Sequence, residues 1–496
     1  TLNGLLSLDT QRGGIFIGSN IQTTGLVLNS SGSITQTGGF LRHRDGETTL
    51  LSVNARSNAG GIDLSQLNNG ALQFTAGVGA GGGVTLRGRS IDIAGEVRGT
   101  AMVLEARNGI TQSGAGFIRH NAGTGTALDL TVRVTAGGDI ALTNGGNGAL
   151  SVVTGGVSDG SINIRSDVAL TVGAAGMRAK GPVTLAGAGT LTVAGPIQVG
   201  DGNTVTLAAD DMVIGGRVRA PGGVIVIQGA TANQPAFLGG DQASGAPGGI
   251  YLNPTELGLL GGGGADGQID PAARLYLNTG PVGLIGPVAL RGRVGVLEFG
   301  TQSSYDLDGG AIDVGRLVVR TSGGGVTARN GDNRIDEVAL LGGGTASIVS
   351  GGVGTLTVVS DAGAIGLTNG VSGFSSVRLQ APGLQLNAPA VASGADNSVL
   401  LTATAGAAVL LDAGGSATRT DWNSVGNLAG ADAGGAFSLV SNVALAVNGT
   451  VNAKGDLTIR APSITQTTGV IGAQGAGATI LLIADATTLS GAAGSV

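Results

Sequence analysis

The chain has 496 residues, of which 97 are glycine, against a usual share of about 7%. Hydrophobic residues make up 42%, charged residues 12% and aromatics 2%, a profile opposite to that of disordered chains, which are apolar-poor and highly charged. The 12 prolines follow no Gly-X-Y period, which excludes collagen, and no apolar run reaches the ~18 residues of a membrane span. A net charge of −6, with only Lys180 and Lys454 beside scattered arginines, speaks against a nucleic-acid partner. Cysteine is absent, so stability owes nothing to disulfides.

Internal repeats organise the chain. Ser33-Ile34-Thr35-Gln36-Thr37-Gly38-Gly39-Phe40-Leu41-Arg42-His43 recurs as Gly109-Ile110-Thr111-Gln112-Ser113-Gly114-Ala115-Gly116-Phe117-Ile118-Arg119-His120, and a shorter copy begins at Ser463-Ile464-Thr465-Gln466. A second element, Gly61-Ile62-Asp63-Leu64 with Asn69-Gly70-Ala71-Leu72, returns as Asp139-Ile140-Ala141-Leu142 with Asn147-Gly148-Ala149-Leu150, and again over Gly363 to Gly370. Both elements return after about 76–78 residues, the mark of an array.

A shorter period lies inside the longer one. Ile162-Asn163-Ile164, Val183-Thr184-Leu185, Val205-Thr206-Leu207 and Val224-Ile225-Val226-Ile227 begin units about 19–22 residues long, so the long period is expected to hold about four of them. Each unit has two or three short strands with apolar/polar alternation and Gly, Asn or Asp turns. This pattern predicts an all-β fold, a parallel β-helix (β-solenoid) with coils of about 20 residues. One coil buries perhaps six aliphatic side chains, about 1.5–3 kcal/mol each for the larger ones. Ordering its backbone costs about 1–2 kcal/mol per residue, so a coil holds only when stacked on others.

Residues 1–229 and 291–496 read as coils of a single elongated domain, with residues 230–290 as an irregular excursion on the same rod. Six prolines lie between Pro235 and Pro287. Ala230 to Gly249 reads as a loop. Asn253-Pro254-Thr255-Glu256-Leu257 and Asp270-Pro271-Ala272-Ala273-Arg274-Leu275 each predict a single helical turn, with an Asn or Asp cap before proline at the first helical position. Ser416 to Gly435 is a second irregular stretch and holds the one tryptophan, Trp422.

The Ser-Ile-Thr-Gln-Thr/Ser-Gly element at Ile34, Ile110 and Ile464, the Val-Thr-Leu-x-Ala…Leu-Thr-Val-x-Gly coils and the Asn253-Pro254-Thr255-Glu256-Leu257 corner resemble the filamentous haemagglutinin-like large exoproteins of two-partner secretion. The resemblance covers essentially the whole chain as repeat grammar. It implies a right-handed β-helix, an extracellular or cell-surface location, a role in adhesion, and an outer-membrane secretion partner. The family's N-terminal Asn-Pro-Asn motifs and a C-terminal membrane barrel are missing, so the chain reads as an internal segment of something longer.

The catalytic inventory is thin. His43 and His120 occupy matched repeat positions, but four coils at ~4.8 Å would place them roughly 20 Å apart, too far to share a metal. Repeated surface decoration is the better reading. Arg42 and Arg119 beside them could contact anionic glycans, and Trp422 could stack on a sugar ring. Asp210-Asp211 is the best carboxylate pair for glycoside chemistry, but adjacent strand residues face opposite sides, so one of the two would point inward or sit in a turn. The sequence therefore predicts no catalytic, metal or cofactor site, and no cofactor.

Three functions follow in order of preference. The first is an adhesin or rigid stalk binding glycans or proteins on host or neighbouring cells through many weak contacts. The second is a structural subunit of an extracellular filament or surface layer, built from like subunits. The third is a polysaccharide lyase or hydrolase.

Overall fold

The computed structural model describes residues 2–489, apart from 158, 244–247, 263–270, 323–325, 329, 331 and loop segments between 342 and 443; from 336 to 427 it describes strand backbone alone. The chain is a right-handed parallel β-solenoid. Contacts divide it into two units: residues 1–234 with 243–275, and residues 235–242 with 276–496. The division falls within the proline-rich stretch.

In the first unit, apolar side chains stack in axial columns. On one face Leu51, Leu72, Ile91, Ile110, Ile140, Ile162, Val183, Val205 and Ile225 are in register, one per coil, and all are buried. A second face carries Ile15, Ile34, Ile62, Val84, Met102, Leu130, Val152, Val172, Val193 and Ile214 in the same way. A third is made of the short strands Ile21–Thr23 and Leu41–His43; later, Met177–Arg178, Ile197–Gln198 and Val218–Arg219 stack in turn on Gly155 and Gly156 of the second-face strand Leu150–Val157. Alternation along each strand sends one set of side chains into the column and the next outward, and the backbone groups bond to the coils on either side.

Coil length is less regular than the sequence pattern suggests. Successive positions of the second face are 19, 28, 22, 18, 28, 22, 20, 21 and 21 residues apart. The two 28-residue coils carry an inserted loop, after His43 and after His120. The expectation of four short units per long period is therefore corrected. Three coils take the chain from Ile34 through Ile62 and Val84 to Met102, and Ile110, eight residues on, already lies on the first face against Ile91. The long repeat is three coils and part of a fourth, so equivalent residues land on different faces.

Glycines serve these contacts directly. Gly39 has φ of +66° and a Cβ there would lie 2.3 Å from the Ser19 carbonyl carbon; Gly469 repeats this with φ of +79° and 2.4 Å to Gly449. Both positions need the left-handed conformation and a bare Cα against the next coil.

The excursion follows one of its two helix predictions. Pro254–Leu257 is a single helical turn with Asn253 as N-cap and Glu256 closing a capping box. The second is overturned: Asp270 lies outside the described residues, and Pro271 leads into the strand Ala272–Asn278. Leu275 and Leu277, two residues apart, are both buried with Tyr276 between them, and this period of two prevails over the local cap signal. Among its described residues, the stretch Ala230 to Gly249 is mostly loop, with a short strand at Ala236–Leu238.

The second unit stacks in the same manner. Val288 and Ile312, Leu297 and Leu317, Phe437 and Leu457, Leu445 and Ile464, and Val451 and Ile471 pair in register. Phe299 stacks on Tyr305 at 5.6 Å between ring centroids, and burial pushes the Tyr305 hydroxyl pKa upward.

Candidate functional site

The residues singled out by the repeats cluster around the two inserted loops. In the first copy, Gln36 and Asn69 form a buried amide pair: Gln36 Nε2 donates to Asn69 Oδ1 at 3.0 Å, and Asn69 Nδ2 donates back to Gln36 Oε1 at 2.9 Å. Asn69 Oδ1 also accepts the Leu41 N–H at 2.8 Å, and Nδ2 reaches the carbonyls of Leu64 and Arg87. The second copy repeats every bond. Gln112 Nε2 donates to Asn147 Oδ1 at 2.8 Å, Asn147 Nδ2 to Gln112 Oε1 at 3.2 Å, and Ile118 N–H to Asn147 Oδ1 at 3.0 Å. Asn147 Nδ2 again bonds two carbonyls, of Leu142 and Arg165. The Gln and the Asn lie about thirty residues apart in sequence yet recur together because each pair satisfies the backbone where the loop leaves the coil. Asn333 uses half of the same device in the second unit, accepting from Ile312 N–H at 2.8 Å and donating to Ala328 carbonyl at 2.9 Å.

The histidines begin the loops. His43 Nδ1 accepts the Asp45 N–H at 3.1 Å and His120 Nδ1 accepts the Ala122 N–H at 3.0 Å. The His43 and His120 carbonyls close the same turns by accepting from Gly46 and Gly123, both at 3.1 Å. Asp45 Oδ2 also lies 3.5 Å from His43 Nδ1, but a nitrogen that accepts an amide proton offers no proton to a carboxylate, and the shorter amide bond defines the contact. The two matched histidines do not stand on one ladder. His43 pairs with Thr23 on the small third face, whereas His120 pairs with Gly99 in the ladder of the first. Three-and-a-fraction coils per repeat carry the second copy around the axis.

The neighbouring arginines stack on the phenylalanines two residues before them, Arg42 over Phe40 at 4.2 Å and Arg119 over Phe117 at 3.8 Å. In the first copy Arg42 shares a carboxylate with Arg89: Glu47 lies 3.5 Å from Arg42 and 2.5 Å from Arg89. In the second copy Ala122 and Thr124 replace Asp45 and Glu47, and Arg119 makes no ion pair with a described residue. Asp210 sits in a turn and accepts both the N–H and the hydroxyl of Thr231, at 2.7 and 2.6 Å. Asp211 begins the strand Asp211–Ile214 and accepts from Thr190 Oγ1 at 3.3 Å. Trp422 lies outside the described residues.

Similar axial clips recur elsewhere. Asp139 accepts the N–H and hydroxyl of Ser161, and Asp456 those of Thr479, each one coil further on. The bonds from Thr479 hold the Asp456 carboxyl below its ordinary pKa. Sequence reading missed the Gln–Asn pairs as a unit, although both members stand in the repeats; the available signal was their joint recurrence.

No family model, no curated protein and no solved structure matches the chain. Among the described residues, no helix is long and apolar enough to cross a membrane.

Proposed function

We propose that the chain is an extracellular or cell-surface β-solenoid scaffold that acts in attachment, in the manner of the filamentous haemagglutinin-like exoproteins it resembles. The observation that carries this reading is how its chemically capable side chains are used. His43, His120, Gln36, Asn69, Gln112, Asn147, Asp139 and Asp210 are all bound up in holding turns and coils. What the stacked faces then offer a partner is outward side chains repeated from coil to coil, a surface suited to many weak contacts summed by avidity. Surface glycans or proteins of a host or neighbouring cell are the proposed partners, with an outer-membrane protein for export, and the chain is assigned no reaction.

Binding of the purified protein to cells, glycan arrays and extracellular matrix tests the reading. Saturable binding to one of them supports it, and no binding to any counts against attachment. Release of shortened chains from a polysaccharide would replace it with catalysis.

A further inference from the structure

Where the first unit turns a corner between residues 67 and 136, a groove of about 340 Å³ is lined by Leu67, Arg87, Glu105, Arg107, Thr135 and Ala136 among others; binding clefts begin near about 300 Å³. Its charges are unbalanced. Arg87, Glu105 and Arg133 stand in register on three successive coils, and the one carboxylate of the three is engaged by Arg87, whose Nε lies 2.5 Å from Glu105 Oε2. Arg107 and Arg133 are both exposed, and neither side chain makes an ion pair or hydrogen bond with a described residue. Two unpaired guanidiniums therefore flank the groove on a chain whose net charge is −6.

Leu67 is the second unusual feature. It is 82% exposed, the most exposed large hydrophobic side chain among the described residues, and the matched position of the second repeat is Gly145. The backbone is spoken for: Arg107 N–H bonds to Gly88 carbonyl, Thr135 N–H to Ala106 and Ala136 N–H to Arg107. Recognition here must therefore run through side chains and not by addition of a strand.

We propose that this groove binds an extended acidic peptide segment of a partner protein, its carboxylates paired with Arg107 and Arg133 and one apolar side chain covering Leu67. Guanidinium and carboxylate match as two-point partners. The lining holds no aromatic ring, and a branched aliphatic surface is covered better by an aliphatic side chain than by a sugar edged with hydroxyls. The proposal rests on the attachment reading for its partner, but a peptide in solution tests it separately, so it can fail while cell attachment survives.

The experiment is fluorescence anisotropy of the full chain with a labelled Gly-Glu-Glu-Leu-Glu-Glu-Gly peptide. Binding is expected to weaken with added salt, about tenfold with Arg107→Gln, and several-fold with Leu67→Ser or with serine in place of the peptide's leucine. Glu105→Gln, which removes the competing carboxylate, is expected to strengthen it. All three altered side chains lie at the surface, and circular dichroism confirms that each variant folds. The proposal is overturned by absence of binding, by equal affinity of the wild type and Arg107→Gln, or by displacement of the peptide by a uronate oligosaccharide whose own binding ignores Leu67→Ser.

Discussion

Replacing Asn147 by alanine tests how the inserted loop is tied to its coil. The amide accepts from Gln112 Nε2 and the Ile118 N–H and donates to Gln112 Oε1 and the carbonyls of Leu142 and Arg165. Ile118 is fully buried, so its N–H is left without a partner, at a cost of about 1–3 kcal/mol. Two further neutral bonds at about 1 kcal/mol each bring the loss to roughly 3–5 kcal/mol. Stability in stacked repeats is a sum of neighbouring interfaces, so the loss stays local. Hydrogen exchange is the assay. The Ile118 N–H, and the Gly148 N–H that bonds to the Ile118 carbonyl at 3.0 Å, are expected to exchange about a hundredfold faster or more. Amides around Val205 and Ile225 keep their protection. Gln112→Ala combined with Asn147→Ala costs less than the sum of the two, because the pair shares two bonds. A change of less than about tenfold at Ile118 refutes the view that this amide holds the loop.

Other residues give independent tests. Gly116→Ala puts a methyl 1.9 Å from the Ile93 carbonyl oxygen, whereas a Cβ at Gly125 meets nothing within 4 Å; urea unfolding is expected to show a loss of about 1–3 kcal/mol or more for the first and almost none for the second. Glu256 accepts the Ile214 N–H at 2.9 Å and the Asn253 N–H at 3.0 Å on separate oxygens. Glu256→Gln keeps one acceptor and turns an amide group toward the other N–H, so a loss of about 1–3 kcal/mol is expected, read as faster exchange at Ile214 or Asn253. Asp456 titrates below its ordinary value because Thr479 donates to its carboxylate. Its contribution is therefore present above the unfolded carboxylate pKa and is lost as pH falls through the lower folded value. Thr479→Val removes the hydroxyl bond, and carboxyl NMR titration is expected to move Asp456 back toward the ordinary value.

Alternation and glycine spacing were enough to specify the stacked coils, because both act over a few residues. A strand such as Val183–Gly187 can bury Val183 and Leu185 together only when they are two apart, and Gly39 is required wherever a turn at positive φ presses on the coil beneath. The cap at Asn253 was legible for the same reason. The second cap misled, since burial of Leu275 and Leu277 is decided by the neighbouring coils and not by Asp270-Pro271.

The angular position of each residue around the axis was set by the tertiary structure alone. Inserted loops lengthen two coils of the second face to 28 residues, and each insertion shifts the phase of everything after it, so a repeat that is regular along the chain is not regular in space. His43 and His120 consequently stand on separate ladders, while Leu67, Arg87 and Arg107, spaced at the coil length, meet at one groove. Sequence distance counts residues; stacking counts coils, and the two scales agree only where every coil has the same length.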